Sequence, residues 1–258
     1  MNKIADAFRN KKAFIPFITA GDPDLDTTKE LILAMQEAGA DLIEIGIAFS
    51  DPVAEGPVIQ EADDRALAAG TTTDKIFDMV ASLQDQIHIP LVFMTYINPI
   101  YVYGTEKFAG KMNECGVAGV IVPDVPFEEK QEIDGIFKAH GLTVISMIAP
   151  TSSERVQMIA REAEGFVYCV SSLGVTGVRT EISTGIAGLI KQVKEVRDIP
   201  CAIGFGISTP VQAREMAKIS DGAIVGSAIV RMVAEHGRDS VPYVRDYVAS
   251  MKKAVSEA

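Results

Sequence analysis

The sequence lacks several features that mark particular classes of protein. It has no tryptophan, three cysteines and three histidines, and its 24 basic residues against 35 acidic residues give a net charge of −11. This acidic balance disfavours nucleic-acid binding, which needs clustered Lys and Arg to neutralise phosphates. The apolar runs are shorter than the roughly 20 residues that span a bilayer. We therefore expect neither a nucleic-acid-binding protein nor a membrane protein.

The cysteines and the N-terminal region indicate a reduced, cytoplasmic environment. The cysteines are odd in number and lack C-x-x-C spacing; they are Cys115, Cys169 and Cys201. The apolar stretch Ala13–Ala20 resembles the core of a signal peptide, but it is short, contains Pro16 and is soon followed by Asp22. We expect it to be a strand.

Eight short runs of apolar, β-branched residues recur along the chain: Phe14–Thr19, Leu42–Ile47, Leu91–Tyr96, Val117–Val122, Leu142–Ile148, Phe166–Val170, Ala202–Phe205 and Ala223–Val225. Helical periodicity lies between them, as in Thr27–Ala38, Thr105–Cys115, Ser153–Ala163 and Val241–Ala254. The runs are apolar throughout, as in parallel strands buried on both faces. The pattern predicts a (β/α)8 TIM barrel that forms a single domain over residues 1–258.

The alternative fold is an open, doubly wound sheet. Such a sheet usually has a G-x-G-x-x-G turn after its first strand, whereas Thr19-Ala-Gly-Asp-Pro23 follows here. The segment after the second run is longer than the others, and Pro57–Gly70 predicts an extra helix that ends at a C-terminal glycine. Insertions at this position lie on the active face of a barrel.

Glu44 is the most unusual residue in the strands, because it interrupts the apolar run Leu42–Ile47. Ile43, Ile45 and Ile47 form a bulky set suited to packing against helices. Side chains alternate along a strand, so this parity directs Glu44 into the barrel. A buried carboxylate needs a partner or a raised pKa. Glu44 is therefore either an acid–base group or a structural carboxylate bonded to backbone or hydroxyl groups.

The loop after the second run carries two more acids, Asp51 and Glu55. A carboxylate in a loop is more often solvated surface, but Glu55 together with Glu44 would form a pair in two different environments. Such a pair can divide acid and base roles. Asp124 ends the fourth run and is either a site residue or the N-cap of a helix beginning near Phe127.

Glycine-rich turns follow the last three runs: Gly174-Val-Thr-Gly177, Gly204-Phe-Gly-Ile-Ser208 and Gly226-Ser227. Glycine lets backbone N–H groups approach phosphate oxygens, and a helix N-terminus adds partial positive charge. Each turn alone has a simpler explanation, but three on consecutive loops predict a phosphate site. The loop Ser172–Gly185 is long enough to form a lid.

Two absences narrow the chemistry. No lysine lies within the eight runs, which disfavours a Schiff-base aldolase. His88, His140 and His236 do not converge on the strand ends, which disfavours a catalytic metal. Carboxylate acid–base chemistry on a small phosphorylated molecule remains. Four aromatic residues near strand ends either line a pocket for an aromatic substrate or fill the barrel core: Phe17, Tyr96, Tyr168 and Phe205.

The segment Ile43–Gly56 (IEIGIAFSDPVAEG) closely resembles the signature of the tryptophan synthase α subunit family. Other motifs are similar and occur in the same order over nearly the whole chain: Phe14–Pro23, Met94–Pro99, Pro123–Pro126, Gly174–Gly177, Gly204–Ser208 and Gly226–Ile229. The chain departs from the family pattern at two positions. Family members usually carry Asp where this chain has Glu55, and Pro is common where it has Ala48.

The resemblance implies a retro-aldol cleavage of indole-3-glycerol phosphate to indole and glyceraldehyde 3-phosphate, with no metal or organic cofactor in this chain. It implies that Glu44 transfers protons and that Glu55 holds the indole N–H. The other implied roles are phosphate binding by Gly177, Gly206, Gly226 and Ser227, an indole pocket of Phe17, Tyr96, Tyr168 and Phe205, and lid and support roles for Thr176 and Asp124.

The resemblance also implies a partner, a β subunit that holds pyridoxal phosphate and receives indole through a tunnel in an αββα heterotetramer. The residues expected to face it are Asp51, Pro52, Asn98 and Pro99. One alternative is a non-catalytic activating subunit, which would have no reason to bury Glu44. Another is indole-3-glycerol-phosphate synthase, which would need a strand-end lysine.

Overall fold

The structure, a computed structural model, describes residues 3–150, 152–170, 179–204 and 206–258. Within these residues nine parallel strands form one sheet: β1 Ala13–Thr19, β2 Ile43–Gly46, β3 Leu91–Met94, β4 Gly119–Ile121, β5 Thr143–Val144, β6 Ser146–Ile148, β7 Val167–Val170, β8 Cys201–Gly204 and β9 Gly222–Val225. The helices are α1 Lys3–Asp6, α2 Leu25–Glu37, α3 Pro57–Ala68, α4 Thr73–Ala81, α5 Ile97–Tyr103, α6 Thr105–Glu114, α7 Gln131–Ala139, α8 Ser153–Glu162, α9 Arg179–Val196, α10 Pro210–Ile219, α11 Ser227–His236 and α12 Val241–Ser256. The predicted (β/α)8 architecture is confirmed.

The ring of strands in the barrel closes at the position of the fifth predicted strand. The strand order is β5-β4-β3-β2-β1-β9-β8-β7-β6, so the two ends of the sheet are consecutive in sequence. Ile145 separates β5 from β6, and its amide donates to the carbonyl of Val120 in β4. The prediction of one continuous strand over Leu142–Ile148 was therefore wrong in detail. The run changes neighbours from β4 to β7 within a few residues, so it forms two short strands at one position of the barrel.

Alternate side chains of the strands fill two separate apolar cores. The inner core includes Ala13, Ile15, Leu42, Val92, Ile121, Ile145, Phe166, Ala202 and Ile224. Phe8, which follows α1, lies against Phe166 with ring centroids 5.4 Å apart. It closes the N-terminal end of the barrel. Ile43, Ile45 and Ile47 belong to the outer core between strands and helices. This separation confirms the strand parity predicted around Glu44.

The segments between the strands agree with the sequence-based predictions except for the start of one helix. The predicted extra helix is α3, and Gly70 follows its end with a φ of +77°, a left-handed conformation that glycine adopts without strain. The helix expected near Phe127 begins instead at Gln131. The residues before this helix form turns, in which the Lys130 amide donates to the Pro126 carbonyl.

The cysteines are free and buried: Cys115, Cys169 and Cys201. Among the described helices, none is long and apolar enough to cross a membrane.

A buried ion cluster anchors the N-terminal end of the barrel. Asp41, which is only 4% exposed, accepts the amide of Phe14 at 2.8 Å. Its two carboxylate oxygens lie 2.6 Å from the ammonium groups of Lys11 and Lys252. The cluster joins the start of β1, the chain before β2 and the C-terminal helix α12. It therefore connects segments that are far apart in sequence.

Replacing Asp41 with Asn should lower the free energy of unfolding by about 2 kcal/mol. The substitution leaves two ammonium groups without their counter-charge, although the half-exposed Lys11 can turn to solvent. Urea unfolding of the purified variant measures the change. The control is Asp85→Asn, an exposed acid, which should change stability by no more than about 0.5 kcal/mol. Equal stabilities of the two variants would contradict the assigned role.

Candidate active site

A cavity of about 390 Å³ opens at the C-terminal ends of the strands. The predicted site residues that line it are Phe17, Glu44, Glu55, Tyr168, Gly206, Gly226 and Ser227. They come from β1, β2, β7 and the connections after β2, β8 and β9. The barrel therefore brings together residues spread over more than two hundred positions of the chain, as expected for this face of the fold.

Glu44 lies at the bottom of the cavity and is 1% exposed. The register of the sheet places it between Phe17 of β1 and Val92 of β3. Its Oε1 atom has no hydrogen-bond partner among the described residues. A structural carboxylate would have its oxygens bonded to backbone or hydroxyl groups. The unpartnered oxygen therefore favours the functional interpretation of this residue.

The environment of Glu44 favours its protonated form. Burial, and to a smaller extent the negative charge of Glu55, raise the pKa of Glu44 to about 8. At neutral pH the side chain therefore carries a proton that it can donate.

Glu55 lies in a wetter position on the loop between β2 and α3, where it is half-buried. Burial raises its pKa, and a hydrogen bond with the Tyr96 hydroxyl opposes that rise. The same hydroxyl accepts the amide of Ala54 at 3.0 Å. Tyr96 does not line the cavity itself but fixes the loop that carries Glu55. The two glutamates thus occupy different environments, as acid–base division requires.

Two glycines make room for the aromatic walls of the cavity. A Cβ atom on Gly46 would lie 2.7 Å from Cζ of Phe17, and one on Gly204 would lie 2.3 Å from the Tyr168 hydroxyl oxygen. Both distances are too short for any larger residue unless the ring moves. Burial, together with the charges of Glu44 and Glu55, raises the pKa of Tyr168 well above its usual value. Its hydroxyl therefore stays neutral.

Another part of the cavity wall is suited to an anion. Gly226 precedes α11 and Ser227 begins it, so the first amides of this helix have no partner within the helix. Gly206 has a φ of +75° and an open space where a Cβ would stand. Arg231, one turn further along α11, also lines the cavity and makes no ion pair among the described residues. Sequence reasoning missed Arg231 because it lies inside a helix.

The other predicted site residues are supporting or peripheral. Asp124 accepts the amide of Ile97 at 3.0 and 3.2 Å, so its carboxylate caps the start of α5 and not a helix near Phe127. Asp51 and Asn98 are exposed, and Pro52 and Pro99 are half-buried, on the connections after β2 and β3. Thr176, Gly177 and Phe205 lie outside the described residues, as does the first half of the predicted lid Ser172–Gly185.

A third carboxylate near the cavity was missed from the sequence. Asp63 of α3 is 5% exposed, and burial together with the charge of Glu55 raises its pKa to about 7. Within the described part of the chain, no group of three His, Cys, Asp or Glu side chains is arranged to hold a metal ion.

Comparison with known proteins shows the family. The model of the family described as tryptophan synthase alpha chain matches residues 4–257. The alpha chains of Lacticaseibacillus casei and Lactiplantibacillus plantarum are each 45% identical to this chain, over 99% of its length and 96% and 97% of theirs.

Solved structures agree with this match. The alpha subunit from Legionella pneumophila superposes with a TM-score of 0.91 at 35% identity, over the full length of both chains. A chain of Mycobacterium tuberculosis tryptophan synthase, in its aminoacrylate-bound form, superposes with a TM-score of 0.88 at 30% identity, covering 99% of this chain and 100% of that one. With sequence and fold in agreement, the chain belongs to the tryptophan synthase alpha chain family, lyases of tryptophan biosynthesis.

Proposed function

We propose that this chain cleaves indole-3-glycerol phosphate to indole and glyceraldehyde 3-phosphate by a retro-aldol reaction, without a metal ion or a Schiff base. Glu44 is the observation that carries the proposal. Its carboxyl group is buried at the bottom of the cavity, protonated near neutral pH and available at Oε1. Family membership supplies the substrate class, and the geometry supports each step.

The reaction needs a proton at C3 of the indole ring and the loss of a proton from the neighbouring hydroxyl group of the side chain. Glu44 donates its proton to C3, which turns the ring into an electron sink. The resulting carboxylate accepts the hydroxyl proton. The carbon–carbon bond then breaks, its electron pair returns to the ring, and the hydroxyl carbon becomes the aldehyde of the second product. Glu44 ends the cycle protonated again.

Glu55 acts at the other end of the ring. As a carboxylate it accepts the indole N–H and stabilises the positive charge that C3 protonation creates. The hydrogen bond from Tyr96 favours this charged form. Phe17 and Tyr168 provide flat walls for the ring, and the amides near Gly206, Gly226 and Ser227 receive the phosphate, which Gly177 is expected to join.

Two exposed valines lie on the connections next to the cavity. Val53 and Val102 are 79% and 80% exposed, which is unusual for apolar residues on one face. They follow the adjacent strands β2 and β3, beside Asp51 and Asn98. We infer that a β subunit covers this surface in an αββα assembly and that indole passes from the cavity to pyridoxal phosphate in that subunit. The isolated chain should then have only weak activity.

Glu44→Gln should lower kcat by roughly a thousandfold, because the amide cannot donate or accept the transferred proton. In the unmodified chain, kcat should fall as pH rises through about 8, where Glu44 loses its proton. Stopped or continuous assays of indole release measure both effects. Glu61→Gln, an exposed neighbour on α3, is the control and should retain full activity. Normal turnover by Glu44→Gln would rule out the proposed role.

Tyr96→Phe should move the acid limb of the pH profile to higher pH. The hydroxyl bond lowers the pKa of Glu55, so its removal raises that pKa, and more Glu55 is protonated in acidic buffer. We expect kcat/KM to fall roughly tenfold below the limb and less above it. Tyr103→Phe removes a hydroxyl bonded to the exposed Asp74 and should leave the profile unchanged. An unshifted limb in Tyr96→Phe would show that Glu55 is not held in this way.

Val102→Glu should shift stimulation to a much higher concentration of the β subunit and leave the basal activity intact. Burying a charged side chain in an apolar contact should weaken binding roughly 30-fold or more. Titration of indole release against β subunit concentration measures this. Val211→Glu changes a valine that is 73% exposed on α10, after β8, and serves as the control. Equal stimulation of both variants would place the interface elsewhere.

A further inference from the structure

Arg231 is the one positively charged side chain among the described residues that line the cavity. The other ionisable groups of that lining are the carboxyl groups of Glu44 and Glu55 and the phenol of Tyr168. The chain as a whole carries a net charge of −11. A phosphorylated substrate brings further negative charge into this cavity, and the cleavage steps described above give Arg231 no role.

The helix α11 presents Arg231 on the same surface as Ser227. The two residues are four positions apart, a spacing that makes their side chains neighbours on a helix. Both line the cavity, as do Gly226 before the helix and Gly206 on the connection after β8. Arg231 therefore lies on the part of the cavity wall that is suited to an anion.

The first turn of α11 has backbone donors available beside Arg231. The carbonyl of Gly226 accepts the amides of Ile229 and Val230 at 2.8 and 3.1 Å, and these are the first hydrogen bonds of the helix. The amides of Ser227 and Ala228 come earlier, no side chain caps them, and the first turn contains no acidic residue. Both residues line the cavity, so an acceptor for these amides can come from a ligand bound there.

No interaction within the described part of the chain accounts for the charge of Arg231. Its guanidinium is exposed and makes no ion pair there, whereas three other arginines pair with carboxylates: Arg65, Arg155 and Arg238. Its position in the first half of α11 also gives no favourable interaction with the helix dipole, which stabilises cations near the C-terminal end. The guanidinium is therefore available to a ligand.

A guanidinium adds something that backbone amides cannot supply. It carries a full charge and two parallel donors that match the oxygens of a phosphate group. Amides also accept a neutral hydroxyl oxygen, whereas a full charge distinguishes the phosphate from that oxygen. The phosphate does not change during cleavage, so a contact with it is equally strong in the bound substrate and in the transition state. Such a contact lowers KM and leaves kcat nearly unchanged.

We propose that Arg231 is a specificity-determining residue whose guanidinium binds the phosphate group of the substrate beside Ser227 and selects phosphorylated over unphosphorylated indole glycerols. The proposal rests on the proposed function and adds a charged group to its phosphate site. It also explains how an acidic chain, with two carboxyl groups in the same cavity, attracts an anionic substrate.

The test compares Arg231→Gln with Arg214→Gln in the full-length chain. Both substitutions remove one exposed positive charge, but Arg214 lies on α10 and pairs with Glu257. Indole release from indole-3-glycerol phosphate gives kcat and KM. We expect Arg231→Gln to raise KM roughly tenfold with kcat changed less than about twofold, and Arg231→Lys to recover part of the loss. Arg214→Gln should match the unmodified chain. An unchanged KM in Arg231→Gln overturns the proposal.

A second substrate separates a charge contact from structural damage. Indole-3-glycerol lacks the phosphate, so Arg231→Gln should cleave it with the same kcat/KM as the unmodified chain. An equal loss on both substrates would show a structural role and overturn the proposal.

Binding of glycerol 3-phosphate, measured by calorimetry, tests the contact without turnover. We expect its Kd to rise roughly tenfold in Arg231→Gln and to stay unchanged in Arg214→Gln. A Kd that Arg231→Gln does not change would overturn the proposal. Absence of indole release from the unmodified chain, even with the β subunit, would reject the proposed function, an outcome that the calorimetric result distinguishes from a failure of the Arg231 contact.

Discussion

Two carboxyl groups of this barrel are buried away from water, and burial has opposite effects on their charge. Asp41 and Glu44 are almost equally buried and only three positions apart. Asp41 receives two ammonium groups and a backbone amide, so its charge is fully compensated and it stabilises the fold. Glu44 receives no cation, so it holds a proton. One end of the strand therefore contributes stability, and the other end contributes a reactive acid.

This difference depends on strand geometry. Side chains alternate between the two faces of β2, so a shift of one residue would exchange Glu44 with its neighbouring isoleucines. The next inward residue must also be small. A Cβ on Gly46 would collide with the ring of Phe17, so glycine at this position lets the ring pack over the strand. The bulky outer residues fix the register, and the small inner residue admits an aromatic ring that lines the cavity.

The architecture and the central acid were predictable because both depend on local pattern. The apolar runs, the helical spacing between them and the parity around Glu44 can all be recognised in short windows of sequence. The break at Ile145 was not predictable, because it reflects a change of hydrogen-bonding neighbour and not a change of residue type. The contact between Ala54 and Tyr96 spans forty-two positions and becomes visible only when β2 and β3 are adjacent.

Asp63 escaped detection for a different reason. It lies in the polar stretch Glu61–Arg65, where charged residues on either side conceal that its own position faces inward. A helical projection of α3 would have placed it beside Ile59 and Ala62. The spacing was therefore present in the sequence, but a helix rich in charge is usually interpreted as a solvated surface.

The structure around Glu55 compensates for the longer side chain at this position. It is one methylene longer than the Asp that the family resemblance leads one to expect, and the added rotor increases the entropy lost when the carboxylate is held in place. The Tyr96 hydroxyl lowers the pKa of the Glu55 carboxyl group and accepts the amide of Ala54, the residue immediately before Glu55. Because the backbone at Ala54 is fixed, the longer side chain of Glu55 starts from a fixed position and has fewer conformations available. The backbone next to Glu55 is therefore held by the phenol of Tyr96, which follows β3, so side-chain length alone does not decide where the carboxylate lies.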